Sequence, residues 1–187
     1  MSLNPSTPEN LAKVGPRLSA AAELILPEVP LAAVAFACTA ASVAIGDGAV
    51  TAAIAAGLPG VPVVTPPDAA VAGFAALGTG RIGLLTPYLE ETTAPMVDYF
   101  IGRGLDVVRA ECLGIADDRD IARVEAETIL AAAGAIDGDD IDAVFLSCTA
   151  LPAIGVIERI EALIGKPAIS SNQAVVWQLL NHAGLEA

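Results

Sequence analysis

Six short apolar runs rich in β-branched residues punctuate the chain: "AAVAFAC" (32–38), "VPVVT" (61–65), "RIGLLT" (81–86), "LDVVRAEC" (105–112), "DAVFLSC" (142–148) and "KPAIS" (166–170). Runs this short predict strands. Their near-continuous apolarity, without alternation, predicts sheets covered on both faces, as parallel sheets are. Between the runs the pattern turns helical. Thr7-Pro8-Glu9-Asn10 predicts a helix start, with Thr7 as N-cap and Pro8 in the first position. "YLEETTAPMVDYFIGRG" predicts a helix stopped by Gly102 and Gly104. Ile121, Val124, Ile129 and Leu130 give "IARVEAETILAAAGA" an apolar face, with Asp118 or Asp120 as its cap. Strands alternating with helices predict an α/β fold of parallel βα units.

The pattern occurs twice. An offset of 110 residues lays Cys38 on Cys148, Val34 on Val144, Thr39-Ala40 on Thr149-Ala150, and residues 9–23 on the helix at about 119–133. A slightly shorter offset lays "VPVVTPPDAAVAGFAALG" on "KPAISSNQAVVWQLLNHAG". The chain therefore reads as two related lobes, residues 1–78 and 79–170, with the C-terminal helix, 171–187, placed to pack back on the first. The second half opens with the strand "RIGLLT", whose counterpart would fall before residue 1. The first lobe is thus expected to lack its first strand, and the chain to start partway through its first repeat.

Composition narrows the function. The chain has 187 residues, 55% of them apolar, enough for a sizeable core. Gly, Pro or Asp interrupts every apolar stretch well before 18 residues, so no membrane-spanning helix is expected. "MSLNPSTPEN" lacks the basic-then-apolar pattern of a secretory leader. Three widely spaced cysteines, no CxxC and one histidine predict reduced thiols in the cytoplasm and no metal site. A net charge of −13 argues against nucleic acid as a partner. "GTG" precedes a strand, so it is no dinucleotide fingerprint. An incomplete first lobe would leave sheet edge and helix faces uncovered, which predicts a homo-oligomer.

Chemistry concentrates in the repeated C-T-A motif. Each copy ends a strand where a helix should begin, and ligands of parallel sheets gather at that end. A helix N-terminus favours the thiolate there, lowering the thiol pKa and making a nucleophile or base. The N–H groups of Thr39, Ala40, Thr149 and Ala150, with the threonine hydroxyls, suit a substrate carboxylate. Such local donors would oppose the distant acidic surface. Two thiols facing each other suit proton removal on one face of a carbon and delivery on the other, or addition to an alkene. One cysteine ending a strand is ordinarily packing. Its duplication in matching context favours function, whereas Cys112, unduplicated, reads as structural. Tyr88, after Thr86-Pro87 at a strand end, reads equally as loop packing or as part of a site. "SSNQA" (170–174) reads as a helix cap by Ser171 or Asn172 that borders the site by the repeat. His182 reads as helix-terminal, Trp177 as core, and "DGDD" (137–140) as a solvated turn.

"FACTAAS", "LLTPYLEETTAPMVDYF", "LGIADDRDIARV" and "FLSCTALPAIGVIERIEALIGKPAISSNQAVVWQLL" together resemble the aspartate/glutamate racemase superfamily, from about Thr7 onward. The nearest branch is that of maleate cis–trans isomerases, arylmalonate decarboxylases and ectoine-utilisation proteins. The resemblance implies two pseudo-symmetric Rossmann-like lobes with parallel sheets, no cofactor, and a site for a small carboxylate or dicarboxylate between the lobes. It implies that Cys38 and Cys148 are the two working thiols. In maleate isomerases one thiolate adds to the double bond, the central bond rotates and elimination follows; in racemases the thiols serve as base and acid. It implies substrate contacts from Thr39, Thr149 and Tyr88. Retention of both thiols favours an isomerase or racemase over a decarboxylase, which keeps only the second. Asp118 stands where maleate isomerases tend to carry Asn, and a carboxylate there would repel a dicarboxylate. "DDRDIAR" is closer to the ectoine-utilisation branch, whose alternative is a non-catalytic ligand-binding relative. The family's opening strand and its Pro/Ser/Asn loop, which supplies part of the site, fall in the segment expected to be missing.

Overall fold

The computed structural model describes residues 4–185. All six apolar runs form strands: β1 Val34–Ala35, β2 Val63–Val64, β3 Arg81–Thr86, β4 Asp106–Cys112, β5 Ala143–Leu146 and β6 Ala168–Ser170. Every ladder is parallel. β1 and β2 make one sheet, and a second runs in the order β4-β3-β5-β6. The helices are α1 Pro8–Ala12, α2 Leu18–Ala22, α3 Thr39–Ile45, α4 Asp47–Gly57, α5 Pro66–Leu77, α6 Glu90–Gly102, α7 Asp118–Ile121, α8 Ala126–Ile136, α9 Ile157–Ile164 and α10 Ser171–His182. Among the described residues no single helix is long and apolar enough to cross a membrane.

Burial follows the apolar pattern. β5 is buried at every position and β3 at all but Arg81, so both are covered on two faces. β4, at the sheet edge, has no fully buried residue: Asp106, Arg109, Ala110 and Glu111 are exposed and the rest half-buried. Phe145 of β5 meets Phe74 of α5 and Phe100 of α6 edge-to-face, at centroid distances of 6.0 and 5.3 Å. All three rings are fully buried, each contributing about 1.5–3 kcal/mol of transfer free energy. The core they anchor runs across both sheets. Gly83 of β3 is required by close approach, since a Cβ there would stand 2.2 Å from Ile136 Cγ2 of α8.

The caps are partly as expected. Thr7 accepts from the Asn10 N–H at 3.5 Å and caps α1, with Pro8 behind it. α6 ends at Gly102, and Gly104 turns the chain at φ +87°. The single helix expected from residue 119 is instead two, α7 and α8, and neither Asp118 nor Asp120 caps it. Asp117 does: its carboxylate accepts from the Arg119 N–H, one residue earlier than expected. That position is 110 residues from Thr7, so both halves begin with a capped turn at matching places. The strand registers also recur: Val34 pairs with Val63 as Val144 pairs with Ala168. Among the described residues the first sheet has two strands against four in the second. α10 lies against α5, β1 and β2. Residues 1–3 and 186–187, included in the expected lobe bounds, lie outside the described residues.

Candidate active site

Cys38 ends the turn after β1 and is the N-cap of α3, with extended backbone. Its N–H donates to the Phe36 carbonyl at 2.9 Å, and its own carbonyl accepts from Ser42 N at 3.0 Å and Ser42 Oγ at 2.8 Å. The thiol is half-buried.

Cys148 follows β5 in a different setting. No helix starts there: the chain bends through residues 149–151, and a 3₁₀ turn, Ala153–Val156, comes before α9. The expectation of two matching helix N-termini therefore holds only at Cys38. Cys148 sits at φ +90°, a region that residues with side chains avoid. Such a conformation costs about 1–3 kcal/mol and persists where surrounding bonds determine it. Here the Cys148 N–H donates to Ser171 Oγ at 3.1 Å, and the Ala150 N–H donates to Cys148 Sγ at 3.4 Å. The Leu151 N–H and the Tyr88 hydroxyl also serve the sulfur.

Tyr88 is buried, and the reason is local. Residues 113–115 continue β4 beside 86–88: Leu113 N donates to Thr86 O (2.9 Å), Gly114 N to Tyr88 O (3.0 Å) and Ile115 N to Pro87 O (2.9 Å). The same loop delivers Asp117 and Asp118. The N-terminal segment clamps this end: Asn4 donates to Asp117 (2.9 Å) and accepts from Asp118 N (3.0 Å), and Ser6 Oγ donates to Asp118 Oδ1 (3.2 Å). Asp117 pairs with Arg119, whereas Asp118 has no ion-pair partner among the described residues.

Cys38, Cys148, Tyr88 and Asp118 feel one another electrostatically. Burial pushes the Cys38 thiol up to about 11, the Ala41 N–H opposes this, and charge on Cys148 and Asp118 adds to it. Burial likewise raises Cys148, against the donors from Tyr88, Ala150 and Leu151. Tyr88 is raised well above its ordinary value, first by burial and then by Cys148. The lowered thiol pKa expected of a helix N-terminus is thus overturned: desolvation of the thiolate outweighs the N–H groups.

The other expected residues serve the protein's own structure. Thr39 is fully buried and its hydroxyl donates to Ser171 Oγ at 2.9 Å. Thr149 Oγ1 donates to the Ala37 carbonyl at 2.8 Å, tying the second motif directly to the first. Ala40 is buried in α3, and the Ala150 N–H is engaged by sulfur. Ser171, read from sequence as a cap, is instead a buried bridge between the motifs. The cap of α10 is Ser170, in a capping box with Gln173. Asn172 Nδ2 donates to the Thr149 carbonyl at 3.1 Å. The repeat could have found this cap, since the shorter offset lays Ser170 on Thr65, the N-cap of α5. Two cavities lie away from Cys38 and Cys148. One of about 230 Å³ is lined by Leu77, Ile169 and Trp177, the last half-buried rather than core; one of about 270 Å³ touches Cys112. His182 is exposed at the end of α10. The "DGDD" turn is tied down by Lys166 on Asp137 and Arg109 on Asp140.

Parallel α/β sheets, with a cysteine beyond one strand of each and the two sulfurs in electrostatic range, define a protein of the aspartate/glutamate racemase-like superfamily. Residues 3–187 match the arylmalonate decarboxylase family, and the chain belongs to it. The maleate isomerase of Alcaligenes faecalis is 30% identical over 127 residues, 67% of this chain and 50% of that protein. The arylmalonate decarboxylase of Bordetella bronchiseptica is 29% identical over 127 residues, 67% of this chain and 53% of that protein. A solved structure of the Nocardia farcinica maleate cis–trans isomerase, a cysteine-to-serine mutant with a covalently bound succinylcysteine intermediate, is similar with a TM-score of 0.89. It is 25% identical and covers 97% of this chain and 77% of that one. The chain spans about half the length of the curated relatives it matches.

Proposed function

We propose that the protein is a cofactor-independent isomerase or racemase of a small carboxylate or dicarboxylate, in the manner of a maleate cis–trans isomerase, and that Cys38 and Cys148 do the chemistry. The observation that carries this reading is the pair of thiols, each at the end of a parallel strand and close enough that charge on Cys148 raises the cost of ionising Cys38. Like charges at that range keep one thiol protonated while the other ionises, which gives one nucleophile or base and one acid. On maleate, the thiolate adds to one alkene carbon and the other thiol protonates the neighbouring carbon. The central bond rotates, and elimination returns the alkene, the sulfur and the proton. A covalently bound succinylcysteine in the Nocardia isomerase is chemistry of this type. Tyr88, Thr39, Ala40, Asp118, Thr149 and Ala150 surround the reacting centre in this reading, and the protein works in the cytoplasm as a homo-oligomer.

The test is turnover of maleate to fumarate followed by proton NMR, beside loss of optical activity from a chiral amino acid. C38A and C148A must each abolish the activity. A second reading, a decarboxylase, has the family match in its favour; release of carbon dioxide from an arylmalonate that survives C38A would select it. Ligand protection of the thiols without turnover of any of these compounds would select a binding protein.

A further inference from the structure

The strained backbone at Cys148 and the burial of Ser171 meet in one contact. Ser171 is fully buried at the start of α10. Its oxygen accepts two hydrogen bonds, from Thr39 Oγ1 at 2.9 Å and from the Cys148 N–H at 3.1 Å. A serine hydroxyl has two acceptor sites, and both are filled by the two motifs. Thr39 is the residue after Cys38, so a single oxygen stands between the two thiol-bearing turns. α10 cannot shift freely to release it. The capping box of Ser170 and Gln173 holds its first turn, and the Asn172 side chain is bonded to the Thr149 carbonyl.

The contact matters because Cys148 lies at φ +90°. An L-residue there reverts to negative φ unless its N–H is held. With the chain held on both sides, a change of φ must be taken up by ψ, and the two together carry Sγ away from the Tyr88 hydroxyl and from the Ala150 N–H, which it meets at 3.4 Å. Those donors favour the thiolate. We propose that Ser171 is a positioning residue: by holding the Cys148 N–H it keeps the Cys148 sulfur among its donors and so sets that thiol's reactivity. Ser171 does not touch the reacting atoms in this role. The inference rests on reading Cys148 as a working thiol, and it makes no use of which substrate is turned over.

The experiment is the pH profile of alkylation by iodoacetamide, read thiol by thiol by peptide mass spectrometry in the folded full chain. Cys112, at the end of β4, is the internal reference. In S171A the Cys148 profile moves to higher pH, because the thiolate loses donors while its burial remains. At pH 8 the Cys148 to Cys112 rate ratio falls about threefold for each unit of that shift, because the more basic thiolate returns about half of the logarithmic loss. S171T, which keeps the oxygen, retains the wild-type ratio. A ratio unchanged in S171A overturns the proposal, as does a common acceleration of all three thiols, which marks loosening of the whole fold. Should S171A not fold, the wild-type protein answers the question by hydrogen exchange. A Cys148 amide as protected as those of β5 supports the tie, and one that exchanges freely overturns it. Loss of maleate turnover with this Cys148 behaviour intact would sink the isomerase reading and leave the role of Ser171 standing.

Discussion

Replacing Tyr88 by Phe isolates one hydrogen bond at the candidate site. The ring is buried, with 3% exposure, and Phe fills the same space, so the packing beside Cys148 is retained. What disappears is the hydroxyl that favours the Cys148 thiolate. A hydrogen bond to a charged group contributes about 1.5–3 kcal/mol. At about 1.4 kcal/mol per unit, the Cys148 pKa rises by about one to two units. The more basic thiolate is also a better nucleophile, with a Brønsted slope of about 0.4–0.5, so about half of the logarithmic loss is returned. The net expectation below the thiol pKa is a reaction at Cys148 about 3-fold to 10-fold slower in Y88F. The assay is reaction with a small neutral disulfide at pH 8, with Cys38 and Cys112 as references in the same molecule. A Cys148 rate within twofold of wild type, with no movement of its pH profile, would show that the hydroxyl does not serve the sulfur.

Three further outcomes follow from the structure. Cys38 has a folded pKa of about 11 against 9.0 as a free thiol, so its contribution to stability is complete below pH 9 and is lost as pH rises through 11. Between pH 8 and 10.5 wild type therefore loses about 2 kcal/mol more stability than C38A in urea melts, and parallel losses would refute the burial of that thiol. D118N removes a charge that raises both thiols, so the pH profiles of Cys38 and Cys148 both move to lower pH; profiles that stay put would separate Asp118 from the site. G83A forces a methyl against Ile136 and costs about 1–3 kcal/mol in thermal unfolding, whereas an unchanged melt would mean that α8 gives way.

The fold was legible because burial was written as composition. β3 and β5 are apolar at nearly every position because both of their faces are covered, and their runs marked them within a residue or two. The internal offset is legible too, and it carries the caps as well as the motifs. Local pattern marks Thr7 as a cap but points to Asp118 or Asp120 in the second half, where the 110-residue offset from Thr7 singles out Asp117. The site was legible as residue types and not as environments. Cys148 and Cys38 share a motif, yet one heads a helix and the other sits at positive φ among three donors. No local pattern encodes that difference. It comes from residues distant in sequence: Tyr88 beside Cys148, and Ser171 from the start of α10. The same long-range packing desolvates both sulfurs, which is why helix-terminus reasoning alone gave the wrong direction for their pKa values.

Three of the donors expected to hold a substrate carboxylate are already engaged. The Ala150 N–H is on Cys148 Sγ, the Thr149 hydroxyl on Ala37 O, and the Thr39 hydroxyl on Ser171 Oγ. Two of these bonds also fasten the first motif to the second half of the chain. An anion entering between the thiols therefore competes with the bonds that join the motifs, and with the Cys148 thiolate for the Ala150 N–H. Ionisation and binding are coupled through that shared donor. A carboxylate that takes the Ala150 N–H removes support from the thiolate and adds a second negative charge nearby, and both effects raise the Cys148 pKa. On the proposed reading, substrate binding thus favours the protonated Cys148, the form able to deliver a proton. The unliganded arrangement is a satisfied resting state, with each of the three donors paired within the protein.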